Sequence, residues 1–196
     1  MAIRILLITQ WFEPEPAFKG LVFARELVRQ GFEVEVLTGF PNFPGGKLYP
    51  GYTLKWLHRE KIDGVLVTRV PLYPSHDQSA IRRVLNYVSF ATSALLYGLL
   101  AAKKPDVIYA YHPPLTVGIA AVIIRFFRNV PVLYDIQDMW PDTLRTTGMI
   151  SNIFVLTLVG KICDWVYSNV DHIVVLSRGF KLLLTERGVA DHKMDV

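Results

Sequence analysis

Short runs of apolar residues alternate with amphipathic stretches along the whole chain. Apolar runs bounded by turn residues are typical of strands buried on both faces, whereas apolar residues three and four apart predict helices. The pattern predicts six strands, at positions 3–9, 34–38, 65–70, 106–111, 132–136 and 171–176. Predicted helices separate most of these strands. We therefore expect a doubly wound, mostly parallel α/β sheet.

The longest apolar stretch, at positions 81–102, has the length of a membrane-spanning helix. Basic pairs flank both of its ends, at 82–83 and 103–104, without the one-sided bias of a membrane span. Its few polar residues also form one weak helical stripe. The stripe consists of Asn86, Ser89, Ser93 and Tyr97. We predict a helix that packs on the sheet.

The segment at positions 132–143 changes character abruptly, from an apolar strand to hydrogen-bonding and stacking groups. These groups are Gln137, Asp138, Trp140, Pro141 and Asp142. Open α/β sheets bind ligands at the carboxyl ends of their strands, where this cluster would lie. A loop that only caps the next helix and packs its tryptophan is the alternative. We favour a functional edge, because perturbed carboxylates gather at such sites.

The loop after the first strand ends in Lys19 and Gly20, immediately before a predicted helix. Unpaired amides and the helix dipole make such a position suitable for an anion. The loop lacks both the glycine spacing of dinucleotide folds and the Gly-Lys-Ser/Thr of a P-loop. A nicotinamide-dependent oxidoreductase is therefore the least favoured function.

A long segment at positions 39–64 combines prolines and glycines with aromatic residues, which include Phe43, Tyr49 and Tyr52. We interpret it as a loop whose rings stack on a sugar or an acyl chain, or pack on one another. A further loop is predicted at 71–79. His112 ends the fourth strand, and it reaches the 137–142 cluster if the fourth and fifth strands are neighbours. Both a structural and a catalytic histidine remain open here.

Composition limits the function classes. The 196 residues suit one domain, and a hydrophobic content of 52% suits a buried sheet or a partner surface. The net charge of +4 is modest, and its basic clusters fit anionic partners or solvated helix ends. The single cysteine, Cys163, excludes a disulfide within the chain. The apolar stretch at the start is too short for a signal peptide, so we expect a cytoplasmic location.

Several local patterns occur together in a specific order. They are Lys19-Gly20, Ala24-Arg25-Glu26-Leu27, Thr38-Gly39-Phe40-Pro41-Asn42-Phe43-Pro44, Tyr49-Pro50-Gly51-Tyr52, Pro113-Pro114-Leu115-Thr116, Tyr134-Asp135-Ile136-Gln137-Asp138-Met139-Trp140-Pro141-Asp142 and Ser177-Arg178-Gly179-Phe180. Over essentially the whole chain this set resembles the N-terminal half of bacterial family 4 glycosyltransferases, the GT-B enzymes that build lipopolysaccharide, capsule and exopolysaccharide.

The resemblance implies that residues 1–196 form a Rossmann-like acceptor-binding domain, and that a C-terminal domain, absent from this chain, binds the nucleotide-sugar. Such enzymes retain anomeric configuration, need no metal or other cofactor, and act on lipid-linked saccharides at the inner face of the plasma membrane. They do not bind nucleic acid. The lack of an Asp-x-Asp pair agrees with metal independence. We expect a UDP-sugar donor and no activity in the isolated domain.

The resemblance also assigns roles to residues. The expected catalytic or orienting groups are Asp138, Gln137 and His112. Lys19 and Gly20 would face the donor diphosphate, and the acceptor would meet Trp140, Phe43, Tyr49 and Tyr52. Many relatives carry a histidine where this chain has Gln137, and a glutamine cannot carry a proton at neutral pH.

Two other functions fit the same sequence. A GT-B nucleotide-sugar epimerase would need no acceptor. A non-enzymatic module would bind anionic lipid through its basic helix ends.

Overall fold

The computed structural model describes residues 2–75 and 79–196, so positions 76–78 of the predicted 71–79 loop lie outside the described residues. The strands are β1 (Arg4–Ile8), β2 (Glu33–Gly39), β3 (His58–Ile62), β4 (Val65–Val70), β5 (Val107–His112), β6 (Val132–Ile136), β7 (His172–Val175) and β8 (Met194–Asp195). The helices are α1 (Leu21–Arg29), α2 (Ala80–Leu100), α3 (Leu115–Arg128), α4 (Asp142–Thr146), α5 (Ile153–Asn169) and α6 (Arg178–Glu186), with a 3₁₀ turn at Asp191–Lys193.

All strands of the described chain join one sheet in the order β3-β4-β2-β1-β5-β6-β7-β8. Every neighbouring pair is parallel except β3 and β4. The strand order reverses between β1 and β5, which makes their carboxyl ends the switch point where such sheets bind ligands. The predicted doubly wound, Rossmann-like α/β fold is confirmed.

The prediction of six strands is wrong, because the described residues form eight. β3 lies inside the segment interpreted as a loop at 39–64, and β8 has only two residues. β3 reads His-Arg-Glu-Lys-Ile, which lacks an apolar run because this edge strand is partly exposed on both faces. Asp63 and Gly64 form its hairpin turn with positive φ angles of 47° and 87°. An Asp-Gly pair between two strands is a strong hairpin signal that the prediction did not use.

The core has two parts, one on each face of the sheet. The larger part packs beneath α2, α3 and α5, and the smaller part packs beneath α1. Helix α2 buries Asn86, Phe90, Ala94, Tyr97 and Gly98, which confirms that it packs against the sheet. Within residues 2–75 and 79–196, no helix is both long and apolar enough to cross a membrane.

Candidate active site at the carboxyl edge of the sheet

The carboxyl ends of β5 and β6 lie side by side, since His112 pairs in register with Ile136. The fourth and fifth predicted strands are thus neighbours, which is the condition under which His112 reaches the 137–142 cluster. The histidine ring lies 5.5 Å from the ring of Trp140, measured between centroids. His112 and the 137–142 cluster thus share one edge of the sheet.

His112 is buried, and its ring makes edge-on contacts with two aromatic rings, those of Tyr134 and Trp140. Burial lowers the pKa of its imidazole to about 3, so the ring is neutral at physiological pH. Its Nδ1 atom is buried without a hydrogen-bond partner among the described residues. The geometry gives His112 an immediate packing role against Trp140, and its catalytic role stays a prediction.

A buried carboxylate, Asp135, organises the end of β6. It accepts hydrogen bonds from Lys19 Nζ, Tyr109 Oη and Gln137 Nε2. The Lys19 ammonium also lies 3.1 Å from Tyr109 Oη. We call Lys19, Tyr109, Asp135 and Gln137 the Asp135 cluster. It joins the loop after β1 to the strand ends of β5 and β6.

The tyrosines of this region remain protonated. Burial, reinforced by the negative charge of Asp135, raises the pKa of Tyr109. The same two causes raise the pKa of Tyr111 to about 12, against a smaller opposing effect of the Lys19 backbone N–H. Lys19 is thus held at two points, since its side chain contacts Asp135 and its backbone N–H contacts Tyr111. Asp135 and Tyr109 were missed as site residues, although a lone acid inside an apolar strand was a usable signal.

The N-terminus of α1 already faces a carboxylate. Glu13 Oε2 accepts the backbone N–H of Leu21 at 2.7 Å. A Cβ atom added to Gly20 would lie 2.6 Å from the carboxylate oxygens of Glu13, so only glycine fits this approach without movement. The proposed contact of Lys19 and Gly20 with a donor diphosphate stays a prediction, and it requires both Glu13 and the Lys19 ion pair to rearrange.

A second polar cluster was not foreseen. It joins the loops after β1 and β2 to α2. The fully buried Glu15 accepts the backbone N–H groups of Asn42 and Phe43, both at 2.6 Å. Burial raises the pKa of Glu15 to about 7. Asn86 accepts a hydrogen bond from Gln10 and donates one to Asn42. We call Gln10, Glu15, Asn42 and Asn86 the Glu15 cluster.

The aromatic residues expected to bind the acceptor are partly used to hold their own loop. Phe43 lies 5.1 Å from Trp11, and Tyr49 Oη donates to the Phe43 carbonyl at 2.8 Å. The Tyr52 ring lies 4.9 Å from the Arg69 guanidinium. This region is separated from Trp140 in the sheet by β1 and β5. Acceptor binding by these rings stays a prediction, and the contacts agree with a loop packed on itself.

Asp138 differs from the other acids of this edge. It is half-buried, and its carboxylate forms no hydrogen bond or ion pair with any described residue. The following segment is fixed from the opposite side by Arg187, which donates to the Trp140 carbonyl at 2.9 Å and pairs with Asp142. Gln137 is fixed by Asp135. The edge therefore presents one unpaired carboxylate between two anchored neighbours.

Metal ligation has no support in the described geometry. Over residues 2–75 and 79–196, no three His, Cys, Asp or Glu side chains come together as a metal site. The expectation of a metal-independent reaction stays a prediction.

Residues 21–196 match the family described as Glycosyl transferase 4-like domain. The chain belongs to this family. A relative, WcaI of Escherichia coli K12, is 27% identical over 173 residues, which cover 84% of this chain and 41% of WcaI. Its name describes a glycosyl transferase of colanic acid biosynthesis. This membership confirms the resemblance to the N-terminal domain of family 4 GT-B enzymes.

Two solved structures have a similar fold. HepE of Anabaena, in complex with UDP and glucose, superposes with a TM-score of 0.57 at 12% identity, covering 99% of this chain and 43% of HepE. A UDP-GlcNAc 2-epimerase of Methanocaldococcus jannaschii superposes with a TM-score of 0.51 at 13% identity. The match covers 100% of this chain and 45% of the epimerase. At such identities the likeness concerns the fold alone. The chain spans less than half the length of each of these proteins.

Proposed function

We propose that this chain is the acceptor-binding part of a retaining glycosyltransferase of cell-surface polysaccharide synthesis. The enzyme would transfer a hexosyl or N-acetylhexosaminyl group from a UDP-sugar to a lipid-linked saccharide at the inner face of the plasma membrane. A second domain would bind the nucleotide-sugar. Family membership and the name of WcaI support the reaction class. The UDP and glucose in HepE support the donor class.

The observation that carries the proposal is the unpaired carboxylate of Asp138 beside the anchored amide of Gln137. A carboxylate and an amide can together orient a sugar hydroxyl by accepting and donating hydrogen bonds. In the retaining reaction the acceptor oxygen bonds to the anomeric carbon as the bond to the UDP phosphate breaks. The hydroxyl proton passes to the leaving phosphate. The protein then orients both reactants and needs no protonated side chain at Gln137.

Trp140 would pack against the acceptor, since its ring is held by His112 and its carbonyl by Arg187. The buried, neutral imidazole supports this positioning role for His112 better than proton transfer. Phe43, Tyr49 and Tyr52 would cover the acceptor from the loop after β2.

The test is sugar transfer by the complete gene product, with radiolabelled UDP- and GDP-sugars and a membrane lipid extract as acceptor. Label in the lipid fraction supports the proposal, and the productive donor identifies the sugar. Asp138→Asn should lower kcat about 100-fold, because an orienting carboxylate is lost. The control Asp164→Asn changes an exposed acid on α5 and should leave kcat unchanged. Full activity of the Asp138 variant would remove this residue from the site.

An epimerase is the second candidate, favoured by the fold shared with the M. jannaschii enzyme. It would convert the nucleotide-sugar without any lipid extract. Turnover without acceptor in the same assay would replace the transferase proposal with this one.

A further inference from the structure

Helix α2 has an unusual outer side. Beyond its first turn, the exposed residues of this 21-residue helix are apolar except for one threonine. They are Val84, Leu85, Val88, Thr92, Leu96 and Leu100, and the apolar ones expose between 47% and 81% of their surface. The outer side of a helix that covers a sheet in water normally carries charged residues. This side has none from residue 84 to residue 100.

The outer side of α3 continues the same surface. A shallow groove of about 220 Å³ between the helices is lined by two threonines and six apolar residues, among them Val88, Leu95 and Ile119. Phe126 and Phe127 extend it, with 56% and 78% of their surface exposed. We call the outer sides of α2 and α3 together the α2–α3 face.

The two helices form one unit. The Cα atom of Gly98 lies so close to Ile124 that an added Cβ would approach the Ile124 side chain to 2.4 Å. Arg128 donates to the carbonyls of Gly98 and Ala102, at 2.5 Å and 2.8 Å. The α2–α3 face is therefore a continuous apolar surface on a tightly packed helix pair.

Basic residues outnumber acids around this face. From residue 79 to residue 130 the sequence contains a single acid, Asp106, which accepts the Arg4 backbone N–H away from the helices. Six basic residues occur in the same interval, at positions 82, 83, 103, 104, 125 and 128. Arg125 is neutralised by Asp171, whereas Lys103 and Lys104 are exposed at the far end of α2. Cations thus border both ends of the apolar stripe.

We propose that the α2–α3 face docks on an anionic lipid bilayer. An apolar helix face bordered by cations binds in the plane of the membrane interface, where the side chains reach the acyl boundary and the cations meet lipid phosphates. Helix α2 lies on the bilayer and does not cross it, in agreement with its packing against the sheet. A symmetric dimer through this face would bring the same positive borders together, which disfavours a second copy as the occupant.

The orientation of α2 relative to the sheet connects the α2–α3 face with the candidate site. Helix α2 begins at the carboxyl edge of the sheet, where its residue Asn86 bonds to Gln10 in the Glu15 cluster. Docking of α2 would therefore place that edge beside the lipid surface. The biological meaning of this placement rests on the proposed lipid-linked acceptor, whereas lipid binding itself does not.

The test is vesicle flotation of the 196-residue chain, without donor or acceptor. We expect binding to vesicles of phosphatidylglycerol and phosphatidylcholine, and much weaker binding to phosphatidylcholine alone. The double variant Leu85→Glu/Leu96→Glu should weaken binding at least tenfold, because it places two charges in the apolar stripe. The control Val22→Glu/Leu182→Glu changes two apolar residues on α1 and α6 that are even more exposed, and it should bind like the wild type.

A second variant keeps the apolar stripe intact. Lys103→Gln/Lys104→Gln should weaken binding to anionic vesicles at least about fivefold and leave the weak binding to neutral vesicles unchanged. Urea midpoints of all variants establish that they are folded.

Three results would overturn the proposal. They are no binding to anionic vesicles, an equal loss in the Val22/Leu182 control, and a wild-type dimer in sedimentation that Leu85→Glu/Leu96→Glu dissociates without any vesicle binding. The last result would assign the face to a second copy. Because the assay contains no sugar donor, its failure leaves the transferase proposal untouched, and absent transfer activity leaves lipid binding untouched.

Discussion

The carboxyl edge of the sheet contains two polar clusters that differ in chemistry. In the Asp135 cluster one carboxylate accepts three side-chain donors, one of which is the Lys19 ammonium. In the Glu15 cluster a carboxylate accepts backbone N–H groups, and the remaining members are neutral amides. The first therefore fixes side chains that reach the edge, whereas the second fixes the backbone of two loops.

The two clusters therefore have different roles: the Asp135 cluster positions accessible side chains, and the Glu15 cluster holds the loops in place. Lys19 and Gln137 are both partly accessible, so groups held by Asp135 can still meet a substrate. Every member of the Glu15 cluster is buried, and its contacts are with the protein itself. We expect substitutions in the Asp135 cluster to alter both stability and activity, and substitutions in the Glu15 cluster to alter mainly stability and its pH dependence.

The largest expected effect is that of Asp135→Asn. The substitution leaves the Lys19 charge without its partner in a partly buried position, so the free energy of unfolding should fall by about 3 kcal/mol. Urea denaturation at pH 7 measures this loss. Asp63→Asn, which removes an exposed partner of Arg25, should cost less than about 1 kcal/mol.

The double variant Asp135→Asn/Lys19→Met tests the cause. It removes the unpaired charge and should recover part of the lost stability. A loss of less than about 0.5 kcal/mol for Asp135→Asn alone would mean that the Asp135 cluster is not structural.

The buried Glu15 should change the free energy of unfolding by about 2–3 kcal/mol between pH 5 and pH 8. The folded pKa of Glu15, about 7, lies above its ordinary value of 4.5, so the folded state binds the proton more tightly. Its stabilisation is complete below pH 4.5 and disappears as the pH rises through 7. Between pH 5 and pH 8 the wild type should therefore lose stability relative to Glu15→Gln. The exposed control Glu186→Gln should follow the wild type, and parallel curves for Glu15→Gln would contradict the prediction.

The effect of His112 on the pH dependence of stability should have the opposite sign. Its folded pKa of about 3 lies below the ordinary 6.5, so stability is present above pH 6.5 and is lost as the pH falls. His112→Phe keeps an aromatic ring in contact with Tyr134 and Trp140. The free energy of unfolding of His112→Phe minus that of the wild type should be about 2 kcal/mol larger at pH 5 than at pH 7. His192→Phe, at an exposed position, is the control. Unchanged transfer by His112→Phe would also exclude proton transfer by this ring.

The smallest effect is expected at the start of α1. Gly20→Ala forces the Glu13 carboxylate away from the Leu21 N–H and should cost about 1 kcal/mol, as expected for a lost helix cap. Gly45→Ala is a matched control, because an added Cβ there meets nothing within 4 Å. Thermal melting distinguishes the two variants. Equal melting temperatures would show that Glu13 adjusts without loss.

The fold was predictable because its parallel strands are buried on both faces and therefore read as apolar runs, as in β6. Strand β3 was missed, since an edge strand needs no apolar run and its charged residues resemble a loop. Only the Asp63-Gly64 turn after it marks the hairpin in the sequence. The adjacency of His112 and Ile136 agrees with the regular order of β-α units, in which consecutive strands are often neighbours. These elements depend on local pattern and on topology, both of which the sequence carries.

The candidate site was less predictable. The 137–142 segment is visible as an abrupt change of residue type, and its edge position is confirmed. The choice of partners is not visible, because Lys19 and Asp135 are 116 residues apart and only the fold brings them together. A single acid in an apolar strand is the one local trace of that ion pair. The burial that makes His112 neutral likewise depends on rings from β6 and the loop beyond it.

The charged edge strand β3 has a consequence for solubility. A sheet edge with unpaired N–H and C=O groups can recruit strands from other molecules and start aggregation. Here one edge carries Arg59, Glu60 and Lys61 in succession, and the other edge is the two-residue β8. Charged side chains and short length are two features that discourage such pairing. The residues that concealed β3 in the sequence therefore protect a very apolar sheet from self-association.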